Sequence, residues 1–194
     1  GRAAIKADMY VIVDWHILND SNPQQHMDEA LEFFKMIATE YKDSPNVIFE
    51  ICNEPNGETV WNDVMVYART IIPEIRAIMP NVVILVGTPE YDRNLGDPTL
   101  RRLGFDNLMY VMHFYSSSHG YNVLSELATV RNWGVPVFIS ECGITESSGD
   151  GDIDFESAIS WFNFLNETNI SYAVWSLSNK VESSAFFKPI IVNL

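Results

Sequence analysis

Six short apolar runs recur along the chain: Tyr10 to Trp15, Val47 to Ile51, Val82 to Val86, Met109 to Phe114, Val135 to Ser140 and Tyr172 to Leu177. Each is rich in Val, Ile, Phe or Tyr. Near-continuous apolar runs, as opposed to strict alternation, mark strands covered on both faces, and such strands belong to parallel sheets. Between the runs lie helical periods. His26 to Tyr41 puts Ala30, Phe33, Phe34, Ile37 and Tyr41 on one stripe; Val60 to Met79 is longer, with a kink or break expected at Pro73; Val123 to Trp133 and Phe155 to Thr168 complete the set. The alternation reads as consecutive strand–loop–helix repeats in one continuous α/β domain, with no linker-like stretch to divide it. An open doubly wound sheet would usually carry a Gly-rich phosphate loop after a strand. None is present, so a closed parallel barrel is expected.

In such folds chemistry gathers at the carboxyl ends of strands. Here the runs end in Asp14-Trp15-His16, Glu50-Ile51-Cys52-Asn53-Glu54-Pro55, His113-Phe114-Tyr115 and Ser140-Glu141-Cys142-Gly143, and the last carries Trp175. Alternation puts Asp14 with His16, Cys52 with Glu54, and His113 with Tyr115 on shared faces. If those faces point inward, His16, Glu54, Tyr115 and Glu141 converge on one mouth. Two glutamates from separate strands suit glycosidic cleavage, one protonated to donate to the leaving oxygen and the other ionised to attack the anomeric carbon. Taken singly, each residue has a plainer reading: a solvated glutamate, a satisfied structural histidine, a core tryptophan. A carboxylate directly after a buried strand, however, must be paired or functional. His and carboxylate ligands of a metal-dependent barrel hydrolase are the rival reading at this point.

Composition narrows the partners. The 194 residues are 47% hydrophobic, 12% aromatic and 20% charged, and 12 Lys+Arg against 26 Asp+Glu give a net charge of −14. Nucleic acid and anionic membrane surfaces are therefore not expected as partners, because binding them needs clustered cations. No apolar run reaches the roughly 18 residues of a membrane helix, and the opening Gly1-Arg2-Ala3-Ala4-Ile5-Lys6 lacks the apolar core of a signal peptide. Two cysteines, Cys52 and Cys142, are too few for a disulfide framework and read as free buried thiols, so they do not report a redox compartment.

Five ordered motifs, Val13-Asp14-Trp15-His16, Phe49 through Asn56, Met112-His113-Phe114-Tyr115, Phe138 through Gly143 and Val174 through Lys180, resemble successive signatures of glycoside hydrolase family 5, in particular its bacterial endoglucanases. The resemblance implies a (β/α)8 TIM barrel that cleaves β-1,4-glucan with retention of configuration, secreted and without metal or organic cofactor. It implies Glu54 as general acid/base and Glu141 as nucleophile. Asn53 would bond the sugar 2-hydroxyl, His16 and His113 would line the same subsite, Tyr115 would position Glu141, and Trp175 would lie under the ring. Lys180 and Glu182 match positions used for the next sugar on the non-reducing side, and Tyr91, near where relatives often place a tryptophan, would be the aromatic surface on the leaving-group side. Other β-glycanases on mannan, xylan or mixed-linkage glucan share the layout, and a weakly active or inactive fragment that binds glucan is a further alternative.

The motif register begins at the family's third strand. The strand-two arginine that supports the nucleophile has no counterpart, and relatives run on past Pro189 to Leu194 into a final helix. A barrel usually takes about 250 residues. A single partial barrel over residues 1–194, with family strands three to eight, is thus expected, and its edge strands favour a homo-oligomer. Cys142 stands where relatives carry an aromatic residue. Two other motifs read as local structure: Asp150-Gly151-Asp152-Ile153-Asp154 lacks the Gly and Glu of an EF-hand, having Phe155 and Trp161 there, and is expected to cap the helix from Phe155. Asn166-Glu167-Thr168 and Asn169-Ile170-Ser171 are formal glycosylation sites that read better as a turn, and Pro23 reads as a helix start.

Overall fold

Every apolar run forms a strand, and the strands follow one another across the sheet in chain order. The computed structural model describes residues 1–96 and 103–188; residues 189–194, where the resemblance places the approach to a last helix, lie outside the described residues. The six strands are β1 (Val11–Asp14), β2 (Val47–Glu50), β3 (Val83–Val86), β4 (Leu108–Tyr115), β5 (Val137–Gly143) and β6 (Tyr172–Val174), in the order β1-β2-β3-β4-β5-β6. The helices are α1 (Arg2–Lys6), α2 (Met27–Tyr41), α3 (Trp61–Ile78), α4 (Tyr121–Asn132) and α5 (Phe155–Thr168). Among the described residues no helix is long and apolar enough to cross a membrane. The chain divides into two compact units, Gly1–Val111 and Met112–Leu194, with the boundary inside β4.

In the first unit β1, β2, β3 and the start of β4 pair in parallel, with Asp14 opposite Glu50, Glu50 opposite Leu85, and Val86 opposite Tyr110. The expected α2 stripe is centred on Ala30, Phe34 and Ala38, which are buried, while Phe33, Ile37 and Tyr41 form its half-buried margins. Phe34 meets Phe49 of β2 edge-on at 5.6 Å. The helix α3 begins where the Asp63 carboxylate accepts the Val60 N–H at 3.0 Å, and it buries Val64, Tyr67, Ala68, Ile71, Ile72 and Ile75. The break expected at Pro73 does not occur. Pro73 lies on the exposed face of α3, so the helix runs through it while the opposite face stays packed.

In the second unit β5 and β6 are parallel and contain one irregularity. Ile139 faces Tyr172 and Cys142 faces Val174, so three steps along β5 match two along β6. The extra residue falls at Ser140 and Glu141, which are both half-buried between the buried Ile139 and Cys142. The last strand is shorter than the apolar run Tyr172 to Leu177. Trp175 N–H still reaches the Cys142 carbonyl at 2.8 Å, but Ser176 N–H turns to Ser184 O at 3.1 Å, and the chain pairs with its own following loop. Asp154 caps α5 by accepting Ser157 N–H at 2.9 Å, and Asn169 ends it in the left-handed region, as the turn reading of those residues expects. Cys52 and Cys142 are free and buried.

Candidate active site

The first unit carries one group of polar residues at the ends of β1, β2 and β3. Past β1, His16 Nδ1 lies 2.7 Å from Asp14 Oδ2, so the imidazole donates to the carboxylate from Nδ1. The backbone after β2 continues the ladder: Ile51 N–H bonds Leu85 O at 3.0 Å and Asn53 N–H bonds Trp15 O at 3.1 Å. Tyr67 from α3 clamps the Ile51 carbonyl at 2.7 Å, and burial pushes the tyrosine's pKa far up, so it stays a hydroxyl donor. Asn53 is buried and uses its amide Nδ2 to hold Ile17 O at 2.9 Å, which ties the β1 loop to the β2 loop. The sequence reading gave Asn53 only an expected sugar contact; the structure shows one of its donors joining two loops.

Glu54, half-buried, follows with φ of 44°, in the left-handed region that non-glycine residues adopt at a cost. Its N–H bonds Asp92 Oδ2 at 2.9 Å. Asp92 ends a one-turn segment, Pro89–Asp92, in which Glu90, Tyr91 and Asp92 have φ of 62°, 61° and 55°. Tyr91 is 51% exposed on this turn, and its N–H bonds Pro55 O at 3.1 Å, so the leaving-side aromatic expected from the sequence is attached to the Glu54 loop itself. Burial pushes the Cys52 thiol well up, with the Asp92 charge adding to it, which leaves that thiol inert.

The second unit carries the other group. Tyr115, at the end of β4, donates its hydroxyl to Glu141 Oε1 at 2.6 Å. This bond fixes one carboxylate oxygen of Glu141 and with it the orientation of the group. The ring of Tyr115 passes directly over Gly143, where a Cβ would lie 2.6 Å from two ring carbons, so this approach requires glycine. Tyr115 N–H is accepted by His119 Nδ1 at 2.9 Å. His113, buried, has Nε2 3.0 Å from Ser140 Oγ on the bulged segment of β5. Burial, and after it the Glu141 charge, pushes the Cys142 thiol up to about 12, and the thiol rests 3.3 Å from Ala173 O. Trp175 is half-buried; Lys180 Nζ sits 5.2 Å from its ring centroid and 3.9 Å from Glu182 Oε1, so these three expected sugar contacts form one cluster.

Sequence reading missed several supports. Asp14, Ser140, His119 and Asp92 orient the expected site residues, and Asp150 is more than part of a solvated loop. Its Oδ1 accepts both Ser183 N–H at 2.9 Å and Ser183 hydroxyl at 2.8 Å, which holds its carboxyl below the ordinary range and ties the acidic loop to the segment bearing Lys180 and Glu182. The Asp14–His16 contact had a signal, since the two share a strand face. His119 stands only four residues from Tyr115, whereas the bonds of Ser140, Asp92 and Asp150 join residues far apart in sequence.

Compared with known proteins, residues 2–181 match the family described as Cellulase (glycosyl hydrolase family 5). The chain belongs to glycosyl hydrolase family 5. Within it, Endoglucanase A of Butyrivibrio fibrisolvens is 45% identical over 184 residues, covering 94% of this chain and 42% of that protein. Endoglucanase of Clostridium saccharobutylicum is 41% identical over 186 residues, covering 95% and 42%. Among solved structures, the catalytic domain of Thermobifida fusca endoglucanase Cel5A, in a variant complexed with cellotetraose, superposes with a TM-score of 0.92 at 35% identity, covering 97% of this chain and 63% of that one. The chain thus spans about two fifths of the length of these two curated relatives. The six parallel strands are those of the family's α/β barrel fold.

Proposed function

We propose that this chain carries the catalytic glutamates of a retaining endo-β-1,4-glucanase, with Glu141 as nucleophile and Glu54 as general acid/base acting on the same bond. The observation that carries the reading is the Tyr115 hydroxyl on Glu141 Oε1 at 2.6 Å, an arrangement suited to holding a nucleophilic carboxyl in one orientation. Family membership and the cellotetraose bound by the Thermobifida fusca relative support a glucan as substrate. In the first step Glu141 Oε2 forms a bond to the anomeric carbon as the glycosidic C–O bond breaks and Glu54 gives its proton to the leaving oxygen. In the second, Glu54 takes a proton from water, which displaces Glu141 from the sugar. His16, Asn53, His113 and Trp175 would hold the sugar being attacked, Lys180 and Glu182 the next sugar on the non-reducing side, and Tyr91 the leaving side. A net charge of −14 suits a neutral polysaccharide held by aromatic faces and hydrogen bonds. A polymeric substrate of this kind supports a location outside the cell.

Cellotetraose hydrolysis followed by proton NMR is expected to release the β-anomer first, with α appearing only by mutarotation; initial release of the α-anomer would overturn retention. Rates on β-1,4-glucan are expected to exceed those on mannan, xylan and mixed-linkage glucan, and a reversed order would reassign the substrate.

Self-association is also proposed for a polypeptide of these 194 residues. β1 and β6 end the strand order among the described residues, and Tyr10, Tyr172 and Val174 beside or within them are exposed. Light scattering at micromolar concentration is expected to give a mass above that of one chain. A monodisperse monomer would contradict it.

A further inference from the structure

We infer that Asp92 is a positioning residue for Glu54, holding the acid/base residue's backbone in its left-handed conformation through the Glu54 N–H. The inference rests on Glu54 being the acid/base.

Asp92 has no exposed surface at all. A carboxylate is buried at high cost unless its oxygens are bonded, and these are divided between two backbone donors: Oδ1 accepts Thr88 N–H and Oδ2 accepts Glu54 N–H at 2.9 Å. One side chain therefore joins the loop after β3 to the loop after β2. The rest of the local structure serves the same junction. Asp92 N–H returns to Thr88 O at 3.1 Å, Thr88 Oγ1 donates to Val111 O at 3.1 Å, and Tyr91 N–H bonds Pro55 O. At Gly87 a Cβ would lie 2.2 Å from Cys52 O and 2.9 Å from Asp92 Oδ1, so the end of β3 comes as close to the β2 loop as a residue without a side chain allows.

Four residues with left-handed φ, Glu54 and the successive Glu90, Tyr91 and Asp92, meet at this carboxylate, and none is glycine. Such conformations persist where surrounding bonds over-determine them. The φ of Glu54 sets the direction of its Cα–Cβ bond and hence where its carboxyl delivers a proton. Without Asp92 the Glu54 N–H loses its charged acceptor and the residue is free to relax toward ordinary φ, swinging the carboxyl away from the glycosidic oxygen.

The test separates positioning of Glu54 from general support. Asp92→Ala, the milder Asp92→Asn and Glu54→Ala are compared with the wild type on cellotetraose, whose leaving group needs a proton, and on 2,4-dinitrophenyl β-cellobioside, whose leaving group does not. Asp92→Ala is expected to lose about 10- to 100-fold in kcat on cellotetraose with KM little changed, a fraction of what acid/base catalysis contributes. The aryl cellobioside should show a smaller loss that azide reverses, because azide replaces the water that Glu54 would deprotonate; Glu54→Ala should show the same rescue more strongly. Equal losses on both substrates with no azide effect, while azide rescues Glu54→Ala, would overturn the positioning role. Failure of azide to rescue Glu54→Ala would overturn the acid/base assignment beneath it. A third readout needs neither turnover nor a folded variant: in the wild-type chain the Glu54 amide proton should be shifted downfield and protected from exchange. A freely exchanging, unshifted Glu54 amide would also overturn the proposal.

Discussion

Glu141→Gln is expected to lower the rate of hydrolysis of soluble cellulose by on the order of 10⁴-fold or more, with the fold intact. The amide keeps the volume and can still accept the Tyr115 hydroxyl, so little packing changes; what disappears is the charge and the nucleophilic lone pair that must form the glycosyl bond. Glu54→Gln should cost less, about 10²- to 10⁴-fold, because the nucleophile remains and only proton transfer is lost. The Glu54→Gln loss should grow on substrates with poor leaving groups and shrink on activated ones, whereas the Glu141→Gln loss should persist on both. Initial rates with both variants, alongside circular dichroism to confirm the fold, check the expectation. A variant that retains a tenth of wild-type activity would remove that residue from the mechanism.

The second large effect is on stability. Trp161→Ala in α5 is expected to destabilise the chain by about 3–5 kcal/mol, the range for truncating a buried aromatic residue. Trp161 is 1% exposed and stacks face to face on Phe114 of β4, with centroids 3.8 Å apart and planes within 7°. Its indole N–H also donates to His119 O at 2.6 Å. Truncation opens a cavity beside Phe114 and leaves a buried carbonyl without its donor, a further loss of roughly 1–3 kcal/mol where the cavity stays dry. The damage reaches the site, because Phe114 stands between His113 and Tyr115, and His119 accepts the Tyr115 N–H. Urea unfolding by circular dichroism should show a midpoint lower by about 1 M or more, given a slope of roughly 1–3 kcal/mol/M. A shift of a few tenths of a molar would contradict the packing role assigned to Trp161.

Much of the protein is legible without coordinates, for a physical reason. Burial on both faces writes itself as an unbroken apolar run, and burial on one stripe as a 3.6-residue period, so β1 to β6 and α2, α3, α4 and α5 could be found by counting. Polar residues directly after such runs are conspicuous, and so His16, Glu54, Tyr115 and Glu141 stood out before any geometry was known. The pairing of Tyr115 with Glu141, which the family resemblance implies, is a 2.6 Å hydrogen bond.

Tertiary structure alone decided the features that depend on where a chain segment meets another far from it in sequence. Pro73 stays inside α3 because its face is solvated, which local propensity cannot register. The extra residue in β5 lets Ser140 and Glu141 both escape full burial, although strict alternation would set them on opposite faces. Three successive left-handed residues at Glu90, Tyr91 and Asp92, without a glycine, run against every local preference and exist because Asp92 finds Thr88 and Glu54. The bond between Asp150 and Ser183 joins two loops that read separately as polar and exposed. Sequence pattern by itself determined the strands and most of the helices and singled out the two glutamates as candidates; hydrogen bonds between distant backbone and side-chain groups decided how each glutamate is held, because the partners of those bonds are set by the packed sheet and leave no period along the chain.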